Sequence, residues 1–168
     1  MRLTTFHLAL GSNLGDRRAL LGAAREALRQ TPGIELLASS GLYLAEPCGG
    51  PPGQEAYYNA VLQGATSGHD ALELLHLCRQ VEERFGRVRG VRWGARTLDI
   101  DLLFFGDLIS DDPQLLLPHP RLHLRGFVLR PLLDLAPELR HPRLRRTIRE
   151  LFLDLPAAAE VRLLDRDW

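Results

Sequence analysis

Hydrophobic residues first recur at every second position, from Phe6 through Leu8 to Leu10, and then every three to four, through Leu20, Leu21, Ala24, Ala27 and Leu28. The first rhythm is that of a strand with one buried face, the second that of an amphipathic helix. Gly11-Ser12-Asn13-Leu14-Gly15 separates them, Asp16 is placed to cap the helix, and Pro32-Gly33 stops it. Ile34 to Tyr43 reads as a second strand, Glu46 to Ala56 as a Pro/Gly-rich loop and Tyr57 to Ala65 as a third strand. Ser67 with Asp70 resembles a capping box that opens a second helix through Leu74, Leu75, Cys78, Glu82 and Phe85 to Gly86. After an arginine-rich loop from Arg87 to Arg96, Leu98 to Phe105 forms a fourth strand. The order βαββαβ predicts an α+β, ferredoxin-like sandwich: an antiparallel sheet with helices packed on it. The remainder holds a helix near Phe127 to Leu133 and a cap at Thr147 to Glu150, too little for a second core. Residues 1–168 are therefore expected to form a single domain with a short C-terminal helical extension, and the Arg140 to Arg149 cluster to be solvated surface.

Charge and composition narrow the function. Formal net charge is zero, which disfavours a non-specific polyanion binder, so neither nucleic acid nor membrane is an expected partner. All 21 basic residues are arginine, which excludes a Gly-Lys-Ser/Thr phosphate loop and a Schiff-base lysine. Any phosphate must be gripped by guanidinium groups, whose planar fork matches phosphate oxygens in pairs. Cys48 and Cys78 are too few for a disulfide framework, the amino terminus lacks a signal peptide's apolar core, and no apolar run approaches a bilayer span. A cytoplasmic monomer is expected.

Chemistry concentrates in Thr97-Leu98-Asp99-Ile100-Asp101-Leu102. On a strand the pleat puts both carboxylates on one face and the three aliphatic residues on the other, with Asp99 and Asp101 Cα atoms roughly 6.6 Å apart. Hard oxygen donors without clustered Cys or His favour Mg²⁺, which completes its shell with water and substrate phosphates. Arg87, Arg89, Arg92, Trp93 and Arg96 lie immediately upstream, so cations and a stacking ring adjoin the acidic strand, which is the equipment of phosphoryl transfer. A solvated strand face, an RNA-binding module and a metal-dependent phosphohydrolase are the competing readings. Glu82 stands in register with apolar helix positions and needs a partner, either an arginine or a ligand hydroxyl. His119, between two prolines, is similarly open, and Tyr57 and Phe127 are equally at home in a core.

Ala9-Leu10-Gly11-Ser12-Asn13-Leu14-Gly15, Tyr57-Tyr58-Asn59-Ala60-Val61, Gly86-Arg87-Val88-Arg89, Arg92-Trp93-Gly94-Ala95-Arg96-Thr97-Leu98-Asp99-Ile100-Asp101 and Pro118-His119-Pro120 with Arg125-Gly126-Phe127 occur in this order. Together they resemble the 6-hydroxymethyl-7,8-dihydropterin pyrophosphokinases of folate biosynthesis, almost end to end. The resemblance implies transfer of pyrophosphate from ATP to the hydroxymethyl group of 6-hydroxymethyl-7,8-dihydropterin, releasing AMP. It implies two Mg²⁺ ions on Asp99 and Asp101, with Arg87 and Arg96 neutralising charge on the transferred group. The pterin slot maps onto Ala45, Glu46, Pro47, Cys48, Tyr57, Asn59, Trp93 and Phe127. ATP contacts map onto Glu82, Arg87, Trp93, Arg96, His119 and Arg125. Ala45, Cys48, Ala95, Gln114 and Leu116 depart from residues common in the family at those positions.

Overall fold

The computed structural model describes residues 2–47, 50–86, 97–156 and 161–168. Strand β1 (Thr4–Ser12) leads to helix α1 (Arg17–Arg29), strands β2 (Ile34–Ser39), β3 (Leu42–Ala45) and β4 (Tyr57–Thr66), helix α2 (Ala71–Arg84) and strand β5 (Asp99–Phe105). A hairpin of β6 (Ser110–Asp112) and β7 (Leu115–Leu117), helices α3 (Gly126–Leu135) and α4 (Ile148–Leu153) and strand β8 (Arg162–Asp165) follow. The main sheet runs β5-β1-β4-β3-β8, with β2 also paired to β4, and every pairing is antiparallel. This is the expected ferredoxin-like arrangement, with one strand added at an edge.

Helices α1, α2 and α4 each begin where a side chain replaces the missing intrahelical acceptors, whereas α3 follows Arg125 without a side-chain cap. Asp16 accepts from Ala19 N–H at 3.1 Å, as the sequence predicts for α1. Thr147 and Glu150 form the expected reciprocal box on α4. For α2 the box is one turn later than predicted, Asp70 pairing with Glu73 instead of Ser67 with Asp70. Thr66 outcompetes the predicted pairing, its Oγ1 accepting from the N–H groups of Gly68 and His69 and turning the chain before the helix.

The Ile34 to Tyr43 strand is a second correction. It breaks at Ser40-Gly41 into β2 and β3, and Ser40 Oγ takes the Val61 N–H at 2.8 Å where a ladder bond would otherwise form. The arginines of 140–149 are exposed except for half-buried Arg146, but several are ion-paired rather than merely solvated: Arg143 with Asp111, Arg146 with Asp154 and Arg149 with Glu138.

Parity along the strands divides the core in two. Phe6, Leu8, Leu10, Leu62, Ile100 and Leu102 face α1 and α2, where Leu21, Ala24, Leu28, Leu74 and Cys78 complete a dry cluster. Ala9, Val61, Leu103 and Phe104 face the other way, against Val128, Leu129 and Leu132 of α3 and Ile148 and Leu151 of α4. No described helix is long and apolar enough to cross a membrane.

Candidate active site

The register of the central strands assembles the polar residues. Gly11 stands opposite Asp99 on one side and Asn59 on the other, and Asn59 stands opposite Tyr43. One step along, Ala9 stands between Asp101 and Val61. All these residues share the sheet face that α3 packs on, so a carboxylate pair and an amide lie on one shelf about 10 Å apart, two strand spacings. The burial of Ile100 and Leu102 beneath α2 confirms the predicted alternation of β5.

Gly11 keeps the shelf clear. A Cβ there would meet Asn59 Oδ1 at 3.1 Å and Tyr57 Cδ1 at 3.7 Å. Asn59 is 6 % exposed, and its Nδ2 has no hydrogen-bond partner among the described residues. Thr97 Oγ1, one pleat before Asp99, is also buried without one. Buried polar groups without a partner cost free energy, and these two hydrogen-bonding groups lie on the shelf beside the aspartates. Thr97 and Gly11 escaped the sequence reading, although Thr97 shares the parity of Asp99 and Asp101.

At the acidic end, Asp101 Oδ2 lies 3.9 Å from Arg125 Nη1 and 3.9 Å from His119 Nε2. The backbone N–H of His119 bonds to Leu103 O at 2.9 Å, and its Nδ1 accepts from Arg121 N–H at 3.2 Å. A neutral ring accepting at Nδ1 carries its proton on Nε2, facing Asp101. It is neutral because burial, aided by the Arg125 charge and opposed by Asp99, pushes its pKa down to about 4. The 3.9 Å separations exceed a direct hydrogen bond, so these are electrostatic neighbours of Asp101. Arg125 also lies 5.5 Å from the ring of Phe127, which packs against the second core.

Glu82 is 4 % exposed, and its Oε2 accepts the Ile100 N–H at 3.3 Å. It thus caps the outer edge of β5 between the two aspartates, from the opposite layer. Ala45 is paired with Tyr57 on the shelf side, Glu46 is exposed and Pro47 half-buried. The return limb of the 46–56 loop is pinned by Asn13 Nδ2, donating to Gln54 Oε1 and Glu55 O at 3.2 Å each, and by Arg17 Nη1, donating to Ala56 O at 2.7 Å. Of the other departures, Gln114 N–H turns back to Asp112 Oδ1 and Leu116 is exposed on β7. Cys48, Arg87, Trp93, Ala95 and Arg96 lie outside the described residues.

The donor set fits a hard divalent cation. Asp99 and Asp101 are half-buried carboxylates on one face, and no cluster of three or more His, Cys, Asp and Glu of metal-binding geometry occurs among the described residues. Two hard carboxylates on one face suit Mg²⁺, which keeps much of its shell for water and phosphate.

Residues 7–137 match the family described as 7,8-dihydro-6-hydroxymethylpterin-pyrophosphokinase. A Pseudomonas aeruginosa 2-amino-4-hydroxy-6-hydroxymethyldihydropteridine pyrophosphokinase is 44% identical over 136 residues, covering 81% of this chain and 83% of the relative. The Bacillus subtilis protein of that name is 38% identical over 133 residues, covering 79% and 78%. Among solved structures, a Plasmodium falciparum HPPK-DHPS crystal structure superposes with a TM-score of 0.71 at 19% identity, covering 90% of this chain. This chain spans 44% of that longer one.

Proposed function

The chain belongs to the 7,8-dihydro-6-hydroxymethylpterin-pyrophosphokinase family, and on that footing we propose how its residues divide the work of the reaction. The enzyme transfers pyrophosphate to the hydroxymethyl group of a dihydropterin in folate biosynthesis. The donor is ATP, and the products are AMP and the pterin pyrophosphate. The observation that carries the division is the shelf itself, where Gly11 lies between the acidic strand and an amide with an open donor.

Asn59 reads the pterin edge, since an amide offers both donor and acceptor to a heterocycle presenting both. Tyr57, Phe127 and the limb Ala45-Glu46-Pro47, with Cys48 and Trp93, form its slot. Asp99 and Asp101 would hold the two Mg²⁺ ions, which when bound would neutralise charge on the ATP phosphates. Arg125 and neutral His119 offer donors to phosphate and ribose oxygens beside Asp101, and Arg87, Arg96 and Trp93 complete the ATP side. Glu82 acts there by holding β5 in place. The substrate hydroxyl oxygen bonds to the β-phosphorus, the bond from that phosphorus to the α-phosphate oxygen breaks, and the hydroxyl proton passes to solvent as AMP leaves. A cytoplasmic monomer suits this role. Burial, with Asp101 adding to it, pushes the Cys78 thiol up to about 12 and keeps it inert.

The test is product analysis with ATP, Mg²⁺ and 6-hydroxymethyl-7,8-dihydropterin. AMP and pterin pyrophosphate are expected only when metal and pterin are both present. ADP as the product would mean a simple kinase, and AMP without pterin would mean hydrolysis.

A further inference from the structure

The strand that leads into the pterin limb has little holding it from its own neighbourhood. β3 is four residues long and shares only Tyr43, Leu44 and Ala45 with β4. Its outer edge is closed from far along the chain by β8, with Leu42 opposite Asp165, Tyr43 opposite Leu163 and Leu44 opposite Arg162. The break before β3 is closed from both layers. Trp168 Nε1–H donates to the carbonyl of buried Ser40 at 2.8 Å, while Asp134 Oδ2 accepts from Gly41 N–H at 3.1 Å and from Tyr43 O–H at 2.7 Å. The Trp168 ring packs against the first core with the Arg25 guanidinium 4.1 Å from its centroid, and Arg18 bonds Asp165 at 2.5 Å.

We infer that residues 161–168, through β8 and Trp168, are a positioning strap for substrate binding: they fix the register of β3 and so aim the limb Ala45-Glu46-Pro47 at the pterin. The inference rests on the pterin reading of that limb given above. A bare edge strand this short is weakly specified, and a one-residue slip would turn Tyr43 and Ala45 to the wrong face. The acidic end lies on β5, with β1 and β4 between it and β3. A loosened β3 therefore weakens pterin binding and leaves ATP binding alone.

Steady-state kinetics of Trp168→Ala and Trp168→Phe in the full chain, with each substrate varied, test this, with Asn59→Ala measured in parallel. Trp168→Ala is expected to raise the pterin KM about tenfold, with kcat and the ATP KM within about twofold. Trp168→Phe keeps an aromatic ring, though a smaller one, and loses the N–H, and its rise is expected to be about fourfold. An unchanged pterin KM in both variants, an equal rise in both KM values, or a fall in kcat alone would make the strap ordinary stabilising structure and overturn the inference. Asn59→Ala separates the two ideas. If it leaves the pterin KM unchanged while Trp168→Ala raises it, the role of Asn59 fails and the strap stands. The reverse pattern keeps Asn59 and removes the strap.

Discussion

One sheet presents two unlike faces. Beneath α1 and α2 the contacts are aliphatic and aromatic, and Leu8, Leu62, Leu74 and Cys78 are wholly buried. On the α3 side the apolar cluster shares its face with Asp99, Asp101 and Asn59, and with His7, which is 3 % exposed and has no partner for either ring nitrogen among the described residues. The first face holds the sheet together. The second gives up part of that stability to hold polar groups, Asn59 and His7 among them without a described partner, as the proposed binding shelf requires.

The largest separation of the two faces should come from one substitution on each. Asp101→Ala is expected to lower kcat/KM at least about 1000-fold, roughly 4 kcal/mol, while the urea midpoint stays near that of the parent. Leu8→Ala should do the opposite, costing about 3 kcal/mol of stability by leaving a cavity, with KM values unchanged for the fraction that remains folded. Paired unfolding curves and kinetics decide it. If Asp101→Ala unfolds the protein, the carboxylate belongs to the scaffold and the contrast collapses.

His7 sharpens the comparison through pH. Burial pushes its pKa down to about 4 from 6.5, so the unfolded chain takes up the proton first as the solution is acidified. Its folded form is at full advantage above pH 6.5 and loses stability as pH falls from 6.5 to about 4, by about 3 kcal/mol at the limit. His7→Phe preserves a ring against Phe104, now 6.0 Å away edge-on, and removes the proton. Urea unfolding at pH 8 and pH 4.5 should show a smaller acid loss for the variant than for the parent. Parallel acid losses would move the sensitivity elsewhere. His119 and His141, both lowered chiefly by burial, are then the next groups to replace.

Local signals made much of this fold legible in advance, and the failures have a common cause. The Asp16 cap, the Thr147 box and the alternation through Asp99 and Asp101 each lie within a few residues of sequence, and each is found in the structure. The break at Ser40-Gly41 depends on Asp134 and Trp168, far away in the chain, which supply the hydrogen bonds a continuous strand would have made. β8 has no apolar alternation strong enough to identify it, because it lies on an edge and half of it faces water. The same limit applies to the shelf. Asp99, Asp101 and Asn59 could be picked by chemistry and motif, whereas the roles of Gly11 and Thr97 emerge only once three strands are set in register.

Gly11 therefore offers the smallest and most selective break. In Gly11→Ala the new methyl group meets Asn59 Oδ1 at 3.1 Å, so the amide must shift by a few tenths of an ångström, while the extended backbone accepts alanine without strain. Stability should hold or rise slightly, because alanine loses less chain entropy on folding than glycine. The pterin KM is expected to rise about tenfold, roughly 1.4 kcal/mol, with the ATP KM unchanged, since the methyl lies on the Asn59 side of the strand's neighbours and Asp99 is on the other. Titrating each substrate in turn against the variant separates the outcomes. An equal rise in both KM values would mean that the acidic strand and the amide do not act as separate halves, and the shelf would have to be redrawn as one continuous pocket.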